Sequence, residues 1–370
     1  MRKTLPDCIG YPGERARDPP RYIMHSAALK QLALDCGFDL AGIASAGPLP
    51  ESVHYMDWVR RGMAGKMGYL TDYRAEKRRD PRILLDSARS VLVVGQLYNS
   101  PFPYSTSFDD ATLGWISRYA WGADYHNVMR SRLERVAAQL TGSETKICID
   151  TAPILERPLA RAAGLGWIGK NTCLINQQQG SWFFLGELLI SLELEPDAPP
   201  PDRCGSCTRC IDACPTAAIV STGHAAPAWE LDARLCISYL NIELKGAIPP
   251  EQRSGMGNQV YGCDICQDVC PWNRRAPVTH DEPWQPHQIA PPLAELASLT
   301  AEEFQALFRD SPIARAKYQG FLRNVAVAMG NTANPDFRHA LEKLAANGDP
   351  IVAEHAHWAL GQLKSNVECA

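Results

Sequence analysis

The sequence predicts an N-terminal α/β region built on a mixed sheet, then a cysteine-rich insert, then a helical repeat. Three observations carry this. Helical and strand-like stretches mix without strict alternation up to about residue 195, which disfavours a doubly wound sheet. Eight cysteines crowd between Arg203 and Arg275. Two segments near the end, Phe321 to Gly330 and Val352 to Gly361, align at an offset of 31 residues.

Taken in order, Ala27 to Cys36 predicts a helix and Phe38 to Ile43 a short strand. Ser52 to Gly65 is an amphipathic helix, followed by a charged stretch containing Arg74, Lys77, Arg78, Arg79 and Arg82. The apolar run Ser90 to Tyr98 predicts a buried strand. Tyr125 to Leu140 is helical, Lys146 to Asp150 is a strand ending in a carboxylate, and Ile154 to Ala163 is helical again. Ser181 to Leu194 holds two more strand-like runs. Four prolines between Glu195 and Asp202 mark a boundary, and a second proline-rich stretch, Pro277 to Pro292, closes the insert. In the closing repeat Val325 matches Ala356, Ala328 matches Ala359 and Met329 matches Leu360, with a helix Pro335 to Ala346 between. Such a period suggests a short HEAT-like array. The division expected is 1–22 as a disordered extension, 23–195, 203–275 and 293–365.

Composition narrows the class. The 370 residues are 45% hydrophobic and 21% charged, an ordinary globular balance. A net charge of −4 places no nucleic-acid signal in the overall charge, although local basic patches remain open. No apolar run reaches membrane-spanning length, and Met1 to Pro20 has no apolar stretch of signal type. The expectation is a cytoplasmic protein with no membrane partner. Thirteen cysteines in a reducing compartment point to metal or redox chemistry rather than disulfides.

The chemistry sits in the insert. Cys204-x2-Cys207-x2-Cys210-x3-Cys214-Pro215 is the bacterial ferredoxin run, whose fourth cysteine serves the other cluster. Cys263-x2-Cys266-x3-Cys270-Pro271 is its counterpart, with Cys236 upstream. By that logic Cys204, Cys207, Cys210 and Cys270 hold one [4Fe–4S] cluster and Cys214, Cys236, Cys263 and Cys266 the other. A pair of zinc sites is the alternative, disfavoured by two Cys-x2-Cys-x3-Cys-Pro endings. Cys8, Cys36, Cys148, Cys173 and Cys369 lack such spacing and read as buried or incidental thiols. Two other patterns mislead. Gly164 to Gly169 matches G-x-G-x-x-G, but a helical stretch rather than a strand precedes it. Asp124-Tyr-His126 starts like the D-x-H-x-x-G lower-ligand motif of cobalamin proteins, yet Met129 stands at the glycine position.

Longer motifs resemble the epoxyqueuosine reductase family. They are Asp150 to Pro153 with Glu156-Arg157, Ala163 to Thr172 (AGLGWIGKNT), Arg118 to His126 (RYAWGADYH), Cys236 to Lys245 (CISYLNIELK) and Tyr261 to Asn273 (YGCDICQDVCPWN). The resemblance spans roughly Met24 to Leu363. It implies reduction of the epoxide of epoxyqueuosine at the tRNA wobble position to queuosine, with release of water. It implies cobalamin bound base-off, with no protein lower ligand, in the N-terminal domain, and two [4Fe–4S] clusters feeding it electrons. It makes Asp150 the proton donor, a role suited to a buried carboxyl with raised pKa, although an aspartate at a strand end also serves as a helix cap. It assigns cobalamin contacts to Ser238, Cys263 and Asp264, and more loosely to Arg74 and Asp150. Tyr119, Asp124, Tyr125 and His126 line the pocket or serve the core. Lys245 matches a tRNA contact of the family, and it is expected to form a basic tRNA-binding face with Arg74, Lys77, Arg78, Arg79 and Arg82 and with Arg309, Arg315, Lys317 and Arg323. The expected partners are tRNA bearing epoxyqueuosine and an electron donor such as a flavodoxin, a ferredoxin or a reductase, with the chain a monomer. Two rivals stay open at this level: a plain electron carrier, and a cobalamin reductase acting on a small molecule.

Overall fold

In the computed structural model, residues 24–224 and 227–365 are described. The expected extension 1–22, with Cys8 and Cys369, lies outside them.

The N-terminal part is built on a four-stranded sheet in the order Leu40–Ser45, Ser90–Leu97, Phe183–Ile190, Thr145–Cys148. Every neighbouring pair is antiparallel, so the sheet is not mixed as its sequence suggested. Both middle strands are covered on both faces, and a strand buried on two sides reads as one apolar run whichever way its neighbours point. The helices Ser26–Asp35 and Tyr125–Ala137 pack on one face through Leu29, Met129 and Leu133. The helix Glu156–Ala162 packs on the other through Leu159 and Ala160. Ser181 to Leu194, expected as two runs, forms one eight-residue strand. A separate parallel pair joins Trp115–Ile116 to Gln259–Tyr261 and stitches the N-terminal part to the insert.

At the C-terminus the helices Tyr318–Thr332 and Pro350–Ser365 pack directly on each other, with Arg338–Ala345 against the second. Gly330 permits the approach: a Cβ there would lie 2.8 Å from the Ala359 Cα. The cores are not partitioned by the sequence boundaries. Trp115 and Ile116, Val260 and Tyr261, and Phe321, Val325 and Ala359 belong to one apolar cluster. No helix among the described residues is long and apolar enough to cross a membrane.

Arg323 is the clearest departure from expectation. Its side chain is 1% exposed and faces no solvent that a phosphate could enter from. The guanidinium donates to the carbonyls of Leu244 (2.7 Å), Gly246 (2.6 Å) and Leu240 (2.7 Å). Asn324 donates to the carbonyls of Asn241 and Val260. The segment Tyr239–Glu243 is a π-helix, and these two residues donate to two of its carbonyls, Leu240 and Asn241, and to the carbonyls of Leu244, Gly246 and Val260 around it. Arg78 is also withdrawn from the expected basic face, being buried and donating to the carbonyls of Tyr69 and Arg74.

Removing Arg323 leaves three carbonyls without their donor. Arg323→Ala is expected to destabilise by about 3–5 kcal/mol, since a buried charged fork is lost and its acceptors are orphaned. Arg323→Lys, with no planar fork, is expected to recover less than half. Thermal unfolding followed by circular dichroism, with a fall of about 5–10 °C for the alanine variant, checks this.

Candidate active site and cluster-binding insert

The first cysteine set converges. Cys204, Cys207 and Cys210 from one run and Cys270 from the other line a single cavity of about 260 Å³. Lys170, Arg203 and Arg209 line the same cavity, placing positive charge around a donor set that becomes anionic as thiolates. Lys170 also fixes the loop, its amine donating to the carbonyls of Gly205 (2.8 Å) and Cys207 (2.9 Å). The glycine-rich stretch Gly164 to Gly169 therefore delivers a lysine to the cysteine loop. Burial, with Cys270, Cys204 and Cys207 around it, pushes the Cys210 thiol up to about 11.

The cysteines of the second set lie near enough to act on one another electrostatically. Burial first, then Cys236 and Cys214, drive the Cys263 thiol well above its ordinary range. Cys266 is raised by a contact with Cys173, by burial, and by Cys263 and Cys236. Soft thiolates in two groups of four suit iron–sulfur clusters, so the residues present fit these groups. Cys173, which spacing left as incidental, sits against Cys266, and that contact lowers it to about 7. Its run of neighbours carries no ligand spacing, so only the folded chain reveals it.

Two residues before Cys263 the chain joins a group of tyrosines. The hydroxyl of Tyr261 donates to the Pro312 carbonyl (2.5 Å) and lies 3.1 Å from the hydroxyl of Tyr119. Gly262 makes the turn at φ +69°, where a Cβ would collide with Ser117 at 2.4 Å. Asp150 lies near this group, exerting charge on Tyr69, Tyr119 and Tyr125. Arg315 stands over the Tyr69 ring (5.4 Å) and is held by Glu243 at 2.6 Å.

Asp150 follows the strand Thr145–Cys148 in a left-handed conformation, φ +45°. Aspartate tolerates that region better than most residues, and such outliers concentrate at functional sites. The Glu156 carboxylate accepts the Asp150 backbone N–H at 2.7 Å and holds the turn. The side chain remains 40% accessible. Burial alone would raise its pKa; hydrogen bonding and charge from His126, with Arg315 nearby, outweigh it and hold Asp150 below the usual carboxylate range. This reverses the expectation of a raised pKa at Asp150. The raised carboxyls are its neighbours. Burial, then the Asp150 charge, lifts Glu156 to about 7. Burial, with Glu156 and Asp150, carries the fully buried Glu187 well above its ordinary value, and neither of its oxygens has a partner.

The other expected contacts divide. Ser238 is half-buried beside Cys236. Arg74 is tied to Asp72 through paired hydrogen bonds. The Asp264 side chain is 1% exposed and its oxygens are taken by Ser117 (2.5 Å), the Arg118 N–H (2.7 Å) and Trp115 (3.3 Å). Its carboxylate thus braces the segment Trp115 to Arg118. Lys245 is exposed, its amine donating to the carbonyls of Ile242 and Arg315.

Comparison with known proteins decides the family. A family model described as epoxyqueuosine reductase QueG, DUF1730, matches residues 78–151, and a 4Fe–4S double cluster binding domain matches 203–273. The epoxyqueuosine reductase of Xanthomonas campestris is 41% identical over 91% of this chain and 96% of its own. The chain belongs to the epoxyqueuosine reductase family. A solved epoxyqueuosine reductase with a tRNA-Tyr epoxyqueuosine-modified stem loop superposes with TM-score 0.82, at 30% identity, over 91% of this chain and 89% of that one. The Bacillus subtilis epoxyqueuosine reductase, solved with its catalytic aspartate loop swung out of the active site, gives TM-score 0.79 at 30% identity, covering 91% and 90%. Membership of this family makes the chain an oxidoreductase with an iron–sulfur insert.

Anaerobically prepared protein is expected to carry about eight irons, four per cluster. Cys270→Ala should remove the cluster of the first cavity although Cys270 lies in the second run, and Cys214→Ala should do the reverse. Iron analysis with electron paramagnetic resonance of each variant checks this; loss of the wrong cluster overturns the crossed ligand assignment.

Proposed function

We propose that this chain reduces the epoxide of epoxyqueuosine at the tRNA wobble position to queuosine, releasing water, with cobalamin and two [4Fe–4S] clusters as cofactors. The observation that carries the reading is the nearness of an accessible Asp150 to a group of tyrosines that includes Tyr261, from which the chain leads in two residues to Cys263. A carboxylate able to relay a proton and the chain bearing cluster cysteines thus lie close together, and an epoxide must gain both protons and electrons. The stem-loop complex of the relative supports RNA as the substrate class.

Cobalamin, when bound, would supply the low-valent metal chemistry that drives carbon–oxygen cleavage. Ser238, Cys263 and the Asp150 loop are the residues that would hold it. Both ring nitrogens of His126 are engaged, to Asp124 at 2.7 Å and Asp150 at 3.1 Å. Asp150, ionised in this geometry, would relay a proton to the epoxide oxygen as the bond breaks. An electron donor of flavodoxin, ferredoxin or reductase type would recharge the clusters. The regions 23–195, 203–275 and 293–365 are read as cofactor-binding, two-cluster and HEAT-like parts, the last supported by the face-to-face packing of its long helices.

With Arg323 and Arg78 buried, the phosphate contacts fall to exposed cations such as Lys245 and Lys317. Lys245 and Lys317 are both exposed and act on each other electrostatically beside Arg315. Phosphate contacts make affinity fall with salt by roughly 0.7 to 0.9 log units per decade per contact.

Asp150→Asn preserves shape and suits the left-handed backbone, so iron content and tRNA affinity should be retained. Queuosine formation should drop roughly 100-fold or more, the scale of lost general acid catalysis. Near-normal turnover would reduce Asp150 to a turn residue. The double variant Lys245→Gln, Lys317→Gln should weaken tRNA binding and flatten its salt slope by roughly 1.4 to 1.8. Filter binding across a salt series measures it, and absence of any reduction of the epoxyqueuosine stem loop by the wild type would favour the small-molecule reductase instead.

A further inference from the structure

The Asp124-x-His126 pair matched no cofactor motif, yet the structure gives it a defined place. His126 is the second residue of the helix Tyr125–Ala137, and Asp124 caps that helix by accepting the His126 N–H at 3.0 Å. The same Asp124 oxygen lies 2.7 Å from Nδ1 of the ring, and Oδ2 of Asp150 lies 3.1 Å from Nε2. The neighbouring Tyr125 is stacked between the His126 ring (4.2 Å) and Phe184 (4.4 Å), which fixes the imidazole's plane. Both partners of the ring are carboxylates, and a carboxylate only accepts. To satisfy both contacts the ring must donate from both nitrogens, and a neutral imidazole has one N–H to give.

We propose that His126 is a proton-storing positioning residue, a doubly held imidazolium that recharges Asp150 during reduction of the epoxide. The inference rests on the reaction assigned above. That reaction breaks both carbon–oxygen bonds of the epoxide, forms a carbon–carbon double bond and releases water. It consumes two electrons, supplied through the clusters, and two protons. Asp150 in this geometry is ionised and holds no proton of its own. The imidazolium passes its Nε2 proton to Asp150, Asp150 passes it to the departing oxygen, and the ring takes the next proton from solvent. Asp124 keeps the ring oriented and charged between transfers.

The charged groups facing the ring agree. Asp124 stands on its own helix, Asp150 and Glu156 face it from the segment after Thr145–Cys148, and Arg315 bears on Asp150 from the C-terminal region. Burial opposes charge on the ring, but the hydrogen bonds to Asp124 and Asp150 outweigh it and raise His126 to about 9. The donating form is therefore present below about pH 9 and is lost as pH rises through that value.

Single-turnover reduction of an epoxyqueuosine stem loop by the cluster- and cobalamin-loaded enzyme tests this across pH 5.5–10. The wild-type rate should hold level and fall only above about pH 9. In His126→Gln the proton must come from Asp150 alone, so the falling limb should move into the carboxylic acid range. The rate near pH 8 should be down roughly 100-fold, with recovery on acidification. Asp124→Asn, which keeps the ring, should shift the limb part of the way. Histidine side-chain NMR of the wild type supplies a readout independent of turnover: both nitrogens of His126 should carry protons at pH 7.5. A falling limb that stays in place in His126→Gln, or a neutral single-tautomer ring at pH 7.5, overturns the proposal. A wild type that forms no queuosine at any pH while the ring is doubly protonated overturns the reaction assignment instead, and separates the two failures.

Discussion

The guanidinium of Arg323 is the contact on which the docking of the helical region against the cysteine insert depends. Buried carbonyls without donors are strongly unfavourable. Arg323 and Asn324 provide donors to the π-helical turn and its flank from the helix Tyr318–Thr332. The turn so held presents Glu243, which pins Arg315 beside Asp150, and Asn241, which accepts from the Gly262 N–H at 2.9 Å. One buried cation thus links the helical region, the cysteine insert and the segment carrying Asp150. The same interlocking appears in the apolar core, where residues of all three regions share one cluster.

Electrostatics around Asp150 is arranged in opposite directions over a short distance. Asp150 is held charged by its contact with His126, while Glu156 and Glu187 behind it are kept from ionising by burial and by the Asp150 charge itself. Neighbouring carboxyls cannot all be charged in a poorly hydrated space, so stabilising one as an anion neutralises the others. The sheet therefore tolerates a fully buried glutamate in its central strand, provided that it stays protonated.

Some of this was legible in the sequence and some was not, for physical reasons. The two cysteine runs were readable because ligand spacing reflects local loop geometry, and the placing of Cys270 in the first run's cavity agrees with the crossing that spacing suggested. Asp150 was readable from the motif around it, but not its ionisation, which is set by a histidine 24 residues upstream. Arg323 looked like a surface cation because a basic residue reads identically whether it meets phosphate or carbonyls; the carbonyls that capture it lie 77 to 83 residues earlier. Asp264 adjoins a cluster cysteine, and only the fold brings Ser117 and Trp115 onto its oxygens. The direction of the sheet strands was hidden because burial on both faces erases the alternation that would distinguish them.

The first cavity draws three cysteines from one run and its fourth, Cys270, from 60 residues beyond Cys210. On a ribosome adding roughly 5–20 residues per second, the first three thiols emerge several seconds before the fourth exists. The residue that fixes the insert, Arg323, comes later still. A nascent chain that stops short of Cys270 therefore offers the first cavity only three of its four thiols. The order in which the ligands are encoded sets an earliest moment for completing that site, and it falls in the last third of the chain.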